Sequence, residues 1–356
     1  MTTHKFLPLW TLCAPFAALA VLAGELLAPG DWYHLLQAAA LLAGVLAAVH
    51  HAELVAHRVG EPLGTLVLAA AITTIEVALI VTLMLADEPD NAALARDAVF
   101  ASVMIILNGI MGICLMVGGS RFGEQSFRQF AANSSLATLA AIVVLTLVLP
   151  NYTTTVQGPV YSPSQLAFVA IVSLLLYGTF LFVQTVRHRD YFLAEEAGEP
   201  APRPSAKVAA IGGGLLVMCL AAVVGLAENL SPSIEGLVRK AGAPQSLVGV
   251  IIAAIVLLPE GWASLRAAGR NRLQTSLNQA LGSALASIGL TIPAVALVSL
   301  ASGMTLTLGI DGKSTVLLSL SLLVAALSLG TGRTTMLQGA VHLFIFAVYI
   351  LTAIVP

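Results

Sequence analysis

Two long apolar runs flank a short basic segment in the stretch LVGVIIAAIVLLPEGWASLRAAGRNRLQTSLNQALGSALASIGLTIP, residues 247–293. The first run carries one acidic residue, Glu260, directly after Pro259. Each run approaches the ~20 residues that a helix needs to cross ~30 Å of hydrocarbon. The stretch therefore predicts two membrane-spanning helices, the first of which holds a carboxyl group inside the membrane.

The rest of the chain has the same character. Of its 356 residues, 58% are apolar and 10% are charged, with a formal net charge of −2. Ordinary soluble domains carry about 25% charged residues. This composition excludes a water-soluble enzyme, a disordered chain and a disulfide-rich scaffold, and the near-neutral charge argues against nucleic-acid binding. The three cysteines lie in apolar runs without the spacing of a metal or redox site.

Hydropathy predicts the fold class, an all-α polytopic membrane protein with about eleven transmembrane helices. The predicted spans are 6–28, 33–56, 63–86, 97–118, 130–149, 164–187, 207–228, 245–267, 274–301, 314–330 and 334–355. The first is interpreted as a retained helix rather than a signal peptide, because it is long enough to span and no clear cleavage site follows it. With the N-terminus inside, twelve of the 16 basic residues fall in inside loops and four in outside loops. The positive-inside rule therefore predicts a cytoplasmic N-terminus and a C-terminus outside.

The longest polar stretch, residues 188–206, is rich in Pro, Glu and Arg and is interpreted as a cytoplasmic linker. It separates the other predicted regions, which are an N-terminal helix (1–30), a first five-helix repeat (31–187) and a second five-helix repeat (207–356). Because five is an odd number, the two repeats would lie in the membrane with opposite topologies. Inverted repeats of this kind are typical of secondary transporters, which bind their substrate at the repeat interface near the midplane.

A short pattern occurs once in each half. A Gly-x-Pro sequence, Gly60 to Pro62 or Gly242 to Pro244, precedes an apolar run that contains a single deep glutamate. These glutamates are Glu76 and Glu260. The following helix of each half carries small and amide residues, which are Ser102, Asn108, Asn278, Ser283 and Ser287. The repeated pattern predicts that the two glutamates serve one site.

Glu76 and Glu260 are the candidate binding residues for cations and protons. Ionised groups within a bilayer cost at least about 2.5 kcal/mol, so they survive mainly where function needs them. Thr73 is a polar neighbour of Glu76, and Pro259 frees backbone carbonyl groups near Glu260. Such oxygen ligands suit a hard cation such as Ca²⁺. Burial and mutual repulsion also favour protonated carboxyls, so a cation and protons would compete for one site, as in an antiporter; alternatively, each glutamate only hydrogen-bonds a neighbouring helix.

Helix two carries a second polar group. His50, Glu53 and His57 are spaced i, i+3, i+7 and therefore share one helix face. They are interpreted as a proton path, since histidine titrates near neutrality; a zinc-like ligand set and interfacial packing are the alternatives. Glu228, at the predicted end of helix seven, is the candidate counterpart of Glu53. His342 is a lone histidine in helix eleven and is expected to be a packing residue.

The stretch GEPLGTLVLAAAITTIEVALIV, residues 60–81, and the stretch 247–293 resemble the two alpha-repeats of bacterial ChaA-type calcium/proton antiporters of the cation/calcium exchanger superfamily. The resemblance implies inverted halves, a location in the cell inner membrane and no enzymatic activity. It also implies that Glu76 and Glu260 bind the cation and protons by turns, with Ca²⁺ as transported ion rather than cofactor. Asn108 and the turn from Ser283 to Ser287 would complete the cation cage.

One departure from that family leaves the choice of cation open. Vacuolar relatives read Gly-Asn-Ala-x-Glu at both glutamates, whereas here Thr73 and Thr74 precede Glu76, and Leu258 and Pro259 precede Glu260. Na⁺ and K⁺ therefore stay candidates beside Ca²⁺. Two other functional classes are a cation channel or facilitator without proton coupling, and an intramembrane metalloenzyme built on the helix-two histidines. The expected partners are the lipid bilayer, the transported cations and protons.

Overall fold

The computed structural model describes residues 7–24, 31–60, 63–85, 91–192, 204–242, 244 and 246–355. Nearly all of this part of the chain is helical. The helices are α1 (Leu9–Gly24), α2 (Asp31–Val59), α3 (Leu63–Leu85), α4 (Leu94–Met104), α5 (Met111–Phe122), α6 (Gln129–Val143), α7 (Pro163–Phe182), α8 (Arg189–Phe192), α9 (Ala206–Lys240), α10 (Ser246–Ala268), α11 (Leu273–Ser302), α12 (Gly312–Leu329) and α13 (Met336–Ile354). Two short strands, β1 (Glu124–Ser126) and β2 (Arg333–Thr335), pair antiparallel, with Gln125 opposite Thr334.

Three π-helical segments modify these helices. Ile105–Ile110 joins α4 to α5 without a break, while Val144–Val148 and Val183–Arg187 extend α6 and α7. Short 3₁₀ turns cover Asn91–Ala93 and Leu149–Tyr152. A π-turn widens the helix locally and changes the direction of the side chains it carries, and such turns are frequent at functional sites.

Nine helical stretches among the described residues are long and apolar enough to cross a membrane. Two shorter apolar helices, α1 and the segment Ala70–Thr82 within α3, lie where the remaining two spans are predicted. The prediction of an all-α polytopic membrane protein with about eleven such helices is therefore confirmed. One boundary is wrong: helix seven, predicted over 207–228, continues through Pro232 as α9 and ends at Lys240.

The chain divides into two compact units. One comprises Met1–Ala86 and Glu199–Gly242, and the other comprises Asp87–Gly198 and Ala243–Pro356. The first unit thus combines the predicted N-terminal helix, α1, with α2 and α3 of the first predicted repeat and α9 of the second. The inverted arrangement of two five-helix repeats stays a prediction. Most of the predicted linker, at residues 193–203, lies outside the described residues.

In the first unit, α9 lies along α2, and α1 and α3 contact both of them. Gly212 of α9 permits this approach, because a Cβ atom there would lie 2.7 Å from a methyl group of Leu54. Leu54 belongs to a buried cluster with Leu7, Val208 and Leu215. Apolar contacts between helices therefore hold this unit together.

In the second unit, α11 is buried along most of its length and packs against α6, α7 and α10. The loops fall into two groups. Thr307 donates its backbone N–H to the carbonyl of Ala92, and Leu308 donates to Pro159, which joins three loops at one end. The second group contains the paired strands β1 and β2 together with the turn between α10 and α11, which Gln125 contacts. Each group contains only loops that the helix count predicts on one side of the membrane.

Candidate cation and proton site

Glu76 lies in the apolar middle of α3, in the first unit. Its side chain is 4% exposed, and so is that of Thr73, three residues earlier on the same helix face. Ile75, Leu79 and Ile80 are buried beside them. The predicted neighbour relation of Glu76 and Thr73 is therefore present on the buried part of this helix. A carboxyl group in such surroundings is costly to ionise without a compensating partner.

Glu260 lies in α10, in the second unit, and is 6% exposed. Pro259 precedes it inside the helix and has no N–H, so the carbonyl of Ile255 loses its usual helical hydrogen bond. The next residue, Gly261, faces the span formed by α4 and α5, since a Cβ atom there would lie 3.2 Å from Ile110. Glu260 is thus carried on a helix that packs against the π-turn Ile105–Ile110.

Asn108 lies in that π-turn and is fully buried. Its Nδ2 lies 2.8 Å from Oγ of Ser321 in α12, and its Oδ1 lies 3.2 Å from Nδ1 of His342 in α13. Nε2 of His342 lies 3.2 Å from Oγ of Ser328, also in α12. Asn108 therefore belongs to a polar network that joins three membrane spans of the second unit.

Sequence reasoning missed most of this network. His342 is expected there as a packing residue, and Ser321 and Ser328 are not singled out. The contact between Asn108 and His342 joins residues 234 positions apart, so no local sequence spacing predicts it. The available signal was Gly339, one turn before His342, where a Cβ atom would overlap the backbone of Met116. A glycine of this kind marks a close helix contact.

The other candidates of α11 lie in two different surroundings. Ser287 is buried and Ser283 is half-buried, one turn apart in the middle of the helix. Asn278 lies nearer the start of α11, where its Nδ2 donates to the carbonyl of Phe192 at 2.5 Å. Its Oδ1 accepts from Nε2 of Gln274 at 2.8 Å. The amide of Asn278 thus holds the end of α8, and its role in cation binding stays a prediction.

The helix-two residues do not form a buried group. Glu53 and His57 are exposed and His50 is half-buried, with its ring 6.1 Å from that of Trp10. The buried histidine is His51, whose Nε2 lies 3.0 Å from the carbonyl oxygen of Thr11. Shared spacing places residues on one face but does not decide which face is buried. The zinc-like set is not present, because the described residues contain no group of three or more His, Cys, Asp or Glu that could hold a metal ion.

Glu228 also differs from its predicted position. It lies within α9 rather than at a helix end, and its side chain is exposed. The first unit contains Glu76, Glu53 and Glu228, and the second contains Glu260.

Comparison with known proteins adds a family match. A sequence model described as "Sodium/calcium exchanger protein" matches residues 32–186 and again residues 211–355. The "Putative ionic transporter y4hA" of Sinorhizobium fredii is 49% identical over 98% of this chain and 97% of its own. The "Sodium-potassium/proton antiporter ChaA" of Escherichia coli is 33% identical over 90% of this chain and 88% of its own. A "Ca(2+)/H(+) antiporter" of Aphanothece halophytica is 24% identical over 90% and 91%.

Two solved structures share the fold. The structure of native YfkE superimposes with a TM-score of 0.76 over 98% of this chain and 100% of its own, at 18% identity. The crystal structure of the H⁺/Ca²⁺ exchanger CAX superimposes with a TM-score of 0.73 over 98% and 89%, at 15% identity. These likenesses establish an all-helical polytopic fold.

Proposed function

Because the chain belongs to the sodium/calcium exchanger family, we propose that it is a secondary active antiporter that exports Ca²⁺ in exchange for protons across the cell inner membrane. Relatives named as cation/proton antiporters support cation/proton exchange in general. The observation that carries the proposal is the burial of one glutamate in each of two apolar helices, Glu76 in α3 and Glu260 in α10. Each glutamate lies in the apolar run that follows a Gly-x-Pro sequence.

The chemistry of a carboxyl group explains how one site would exchange two kinds of ion. An ionised pair of carboxylates supplies oxygen ligands to a cation. The same groups become neutral when each binds a proton, and burial favours that neutral form. Two protons balance the charge of one Ca²⁺, so either loaded state would be nearly neutral. Cation and protons then compete, and each crosses the membrane on its own half of an alternating-access cycle.

Neighbouring oxygen atoms are the candidates for the rest of the cation's ligands. Thr73 shares the buried face of Glu76, and Ser287 is buried in α11. We assign Thr73, Asn108, Ser283 and Ser287 to this role, with Asn278 as the outermost candidate. His50, Glu53, His57 and Glu228 are exposed or half-buried. We therefore propose them only as a route by which protons reach the site from the surface of the first unit.

Exchange of Na⁺ or K⁺ for protons is the second candidate function. In vacuolar relatives an asparagine lies three residues before each repeat glutamate. In this chain those positions hold Thr73 and Leu257. Fewer oxygen ligands would weaken the preference for Ca²⁺, which takes six to eight of them. The Escherichia coli relative, named for sodium, potassium and protons, favours the same alternative.

Cation uptake into proteoliposomes under an imposed pH gradient tests the proposal. We expect the wild-type protein to take up Ca²⁺ only when the gradient is present, and Glu76→Gln or Glu260→Gln to abolish uptake. Glu124→Gln is the matched control, because the Glu124 side chain is exposed and pairs with Arg333 at 3.2 Å, away from the apolar helices. Uptake of Na⁺ or K⁺ in place of Ca²⁺ would support the second candidate. Uptake that ignores the gradient would instead indicate a channel or facilitator.

A further inference from the structure

In the buried network around Asn108, the donor and the acceptor of each hydrogen bond can be assigned. Oγ of Ser321 donates to the carbonyl of Leu317 in its own helix at 2.7 Å. Because a hydroxyl has one proton, Ser321 can only accept from Asn108. The Nδ2 end of the Asn108 amide faces Ser321, at 2.8 Å. The carbonyl end of the amide then faces His342.

The same reasoning indicates which ring nitrogen of His342 carries the proton. Oδ1 of Asn108 has no proton, so Nδ1 of His342, 3.2 Å away, must be the donor. Nε2 of the neutral ring then accepts from the hydroxyl of Ser328 at 3.2 Å. All four side chains are buried, at 5% exposure or less. In such surroundings an unpaired polar group is costly, so the orientation of each group depends on its neighbours.

Close backbone packing brings His342 to this position. A Cβ atom on Gly112 of α5 would lie 3.0 Å from Cβ of His342. A Cβ atom on Gly339 of α13 would overlap the backbone of Met116, also in α5. A Cβ atom on Gly109, in the π-turn itself, would lie 3.3 Å from the ring of Phe346. Helix α13 therefore lies directly against the helix that carries Asn108.

We propose that His342 is a positioning residue for cation binding: its Nδ1–H, together with Ser321 as the acceptor at the other end, holds the orientation of the Asn108 amide in the π-turn Ile105–Ile110, which packs against the helix of Glu260. The inference rests on the proposed function, in which Asn108 supplies a carbonyl oxygen to the site. That oxygen has two lone pairs, and the bond from His342 uses one of them. An amide that could turn over would present its NH₂ group, which repels a cation.

Two isosteric variants separate the contacts of His342. In His342→Asn, the amide nitrogen takes the place of Nδ1 and can still donate to Asn108. In His342→Gln, the amide reaches the position of Nε2 and can still bind Ser328, but the donor to Asn108 is lost. Both variants keep a polar group in the same buried space. A third variant, Ser328→Ala, removes only the contact on the far side of the ring.

The experiment measures the apparent KM and maximal rate of cation uptake in proteoliposomes for these variants, together with the amount of folded protein. We expect His342→Gln to raise the apparent KM for Ca²⁺ roughly three- to tenfold, as for the loss of one hydrogen bond. His342→Asn should stay close to wild type. In an Asn108→Ala background, His342→Gln should have little further effect, because the contact through which it acts is already absent.

Equal KM values for His342→Asn and His342→Gln would overturn the inference. So would losses of rate that only follow the amount of folded protein, since these would indicate a purely structural role. The wild-type measurement with and without a pH gradient tests the proposed antiport separately. If the wild type carries a cation without proton coupling, the proposed function fails, while the comparison of His342 variants can still be made on that flux.

Discussion

Nε2 of Gln125 donates a 2.9 Å hydrogen bond to Oδ1 of Asn271, and a second, at 3.3 Å, to the carbonyl of Ala268. Gln125 lies in β1 and Asn271 in the turn between α10 and α11, 146 residues later. Asn271 has a left-handed backbone, with φ of 60°. A side chain from the first half of the chain thus holds the turn that joins the helix of Glu260 to the helix of Ser287.

Substitutions at Asn271 should separate this hydrogen bond from the backbone strain. Asn271→Gly loses the bond to Gln125 but adopts positive φ freely, whereas Asn271→Ala loses the bond and also pays about 1 kcal/mol for the left-handed conformation. We therefore expect Asn271→Ala to be the less stable variant in thermal unfolding in detergent. Equal stability of the two variants would contradict the described turn.

Gly339 should not tolerate a side chain. The Cβ atom of Gly339→Ala would overlap the backbone of Met116, so α13 would have to move away from α5. Overpacking of this kind costs about 1–3 kcal/mol. Gly178→Ala is the matched control, because Gly178 is also helical, in the same unit, and has nothing within 4 Å of an added Cβ. Thermal unfolding of the two variants should show a lower melting temperature only for Gly339→Ala.

The sequence predicts the helices well because long apolar runs have few other structures available in a membrane. It also places Glu76 and Glu260 deep within apolar helices, but it does not predict which such glutamates are buried, since Glu53 lies in an apolar run too and is exposed. It does not predict which face of α2 is buried: the spacing of His50, Glu53 and His57 gives a shared face, but packing against α1 and α9 buries His51 instead. Nor does it predict the π-turn at Asn108, whose partner His342 is distant in the sequence.

Carbodiimide labelling should report the competition between protons and cation at the two glutamates. Hydrophobic carbodiimides react with protonated carboxyl groups in apolar surroundings, which describes Glu76 and Glu260 in the proton-loaded state. We expect labelling of both residues, identified by mass spectrometry, to fall when Ca²⁺ is added and when the pH is raised. Glu124 is exposed and provides the internal comparison. Labelling of Glu76 and Glu260 that is unaffected by Ca²⁺, Na⁺ and K⁺ would contradict a shared site.

Cysteine accessibility tests the predicted orientation. The loop that contains Gln157 is predicted outside and the loop that contains Arg270 inside, and both side chains are exposed in the structure. In a Cys13→Ser background, which removes the exposed cysteine and leaves buried Cys114 and Cys219, we expect a membrane-impermeant maleimide to label Gln157→Cys in intact cells. Arg270→Cys should be labelled only after the membrane is permeabilised. Each residue reports on one group of loops, because hydrogen bonds join the loop of Gln157 to the loop after α11, whereas Asn271, next to Arg270, contacts Gln125. The opposite labelling pattern would therefore show that the predicted topology is inverted.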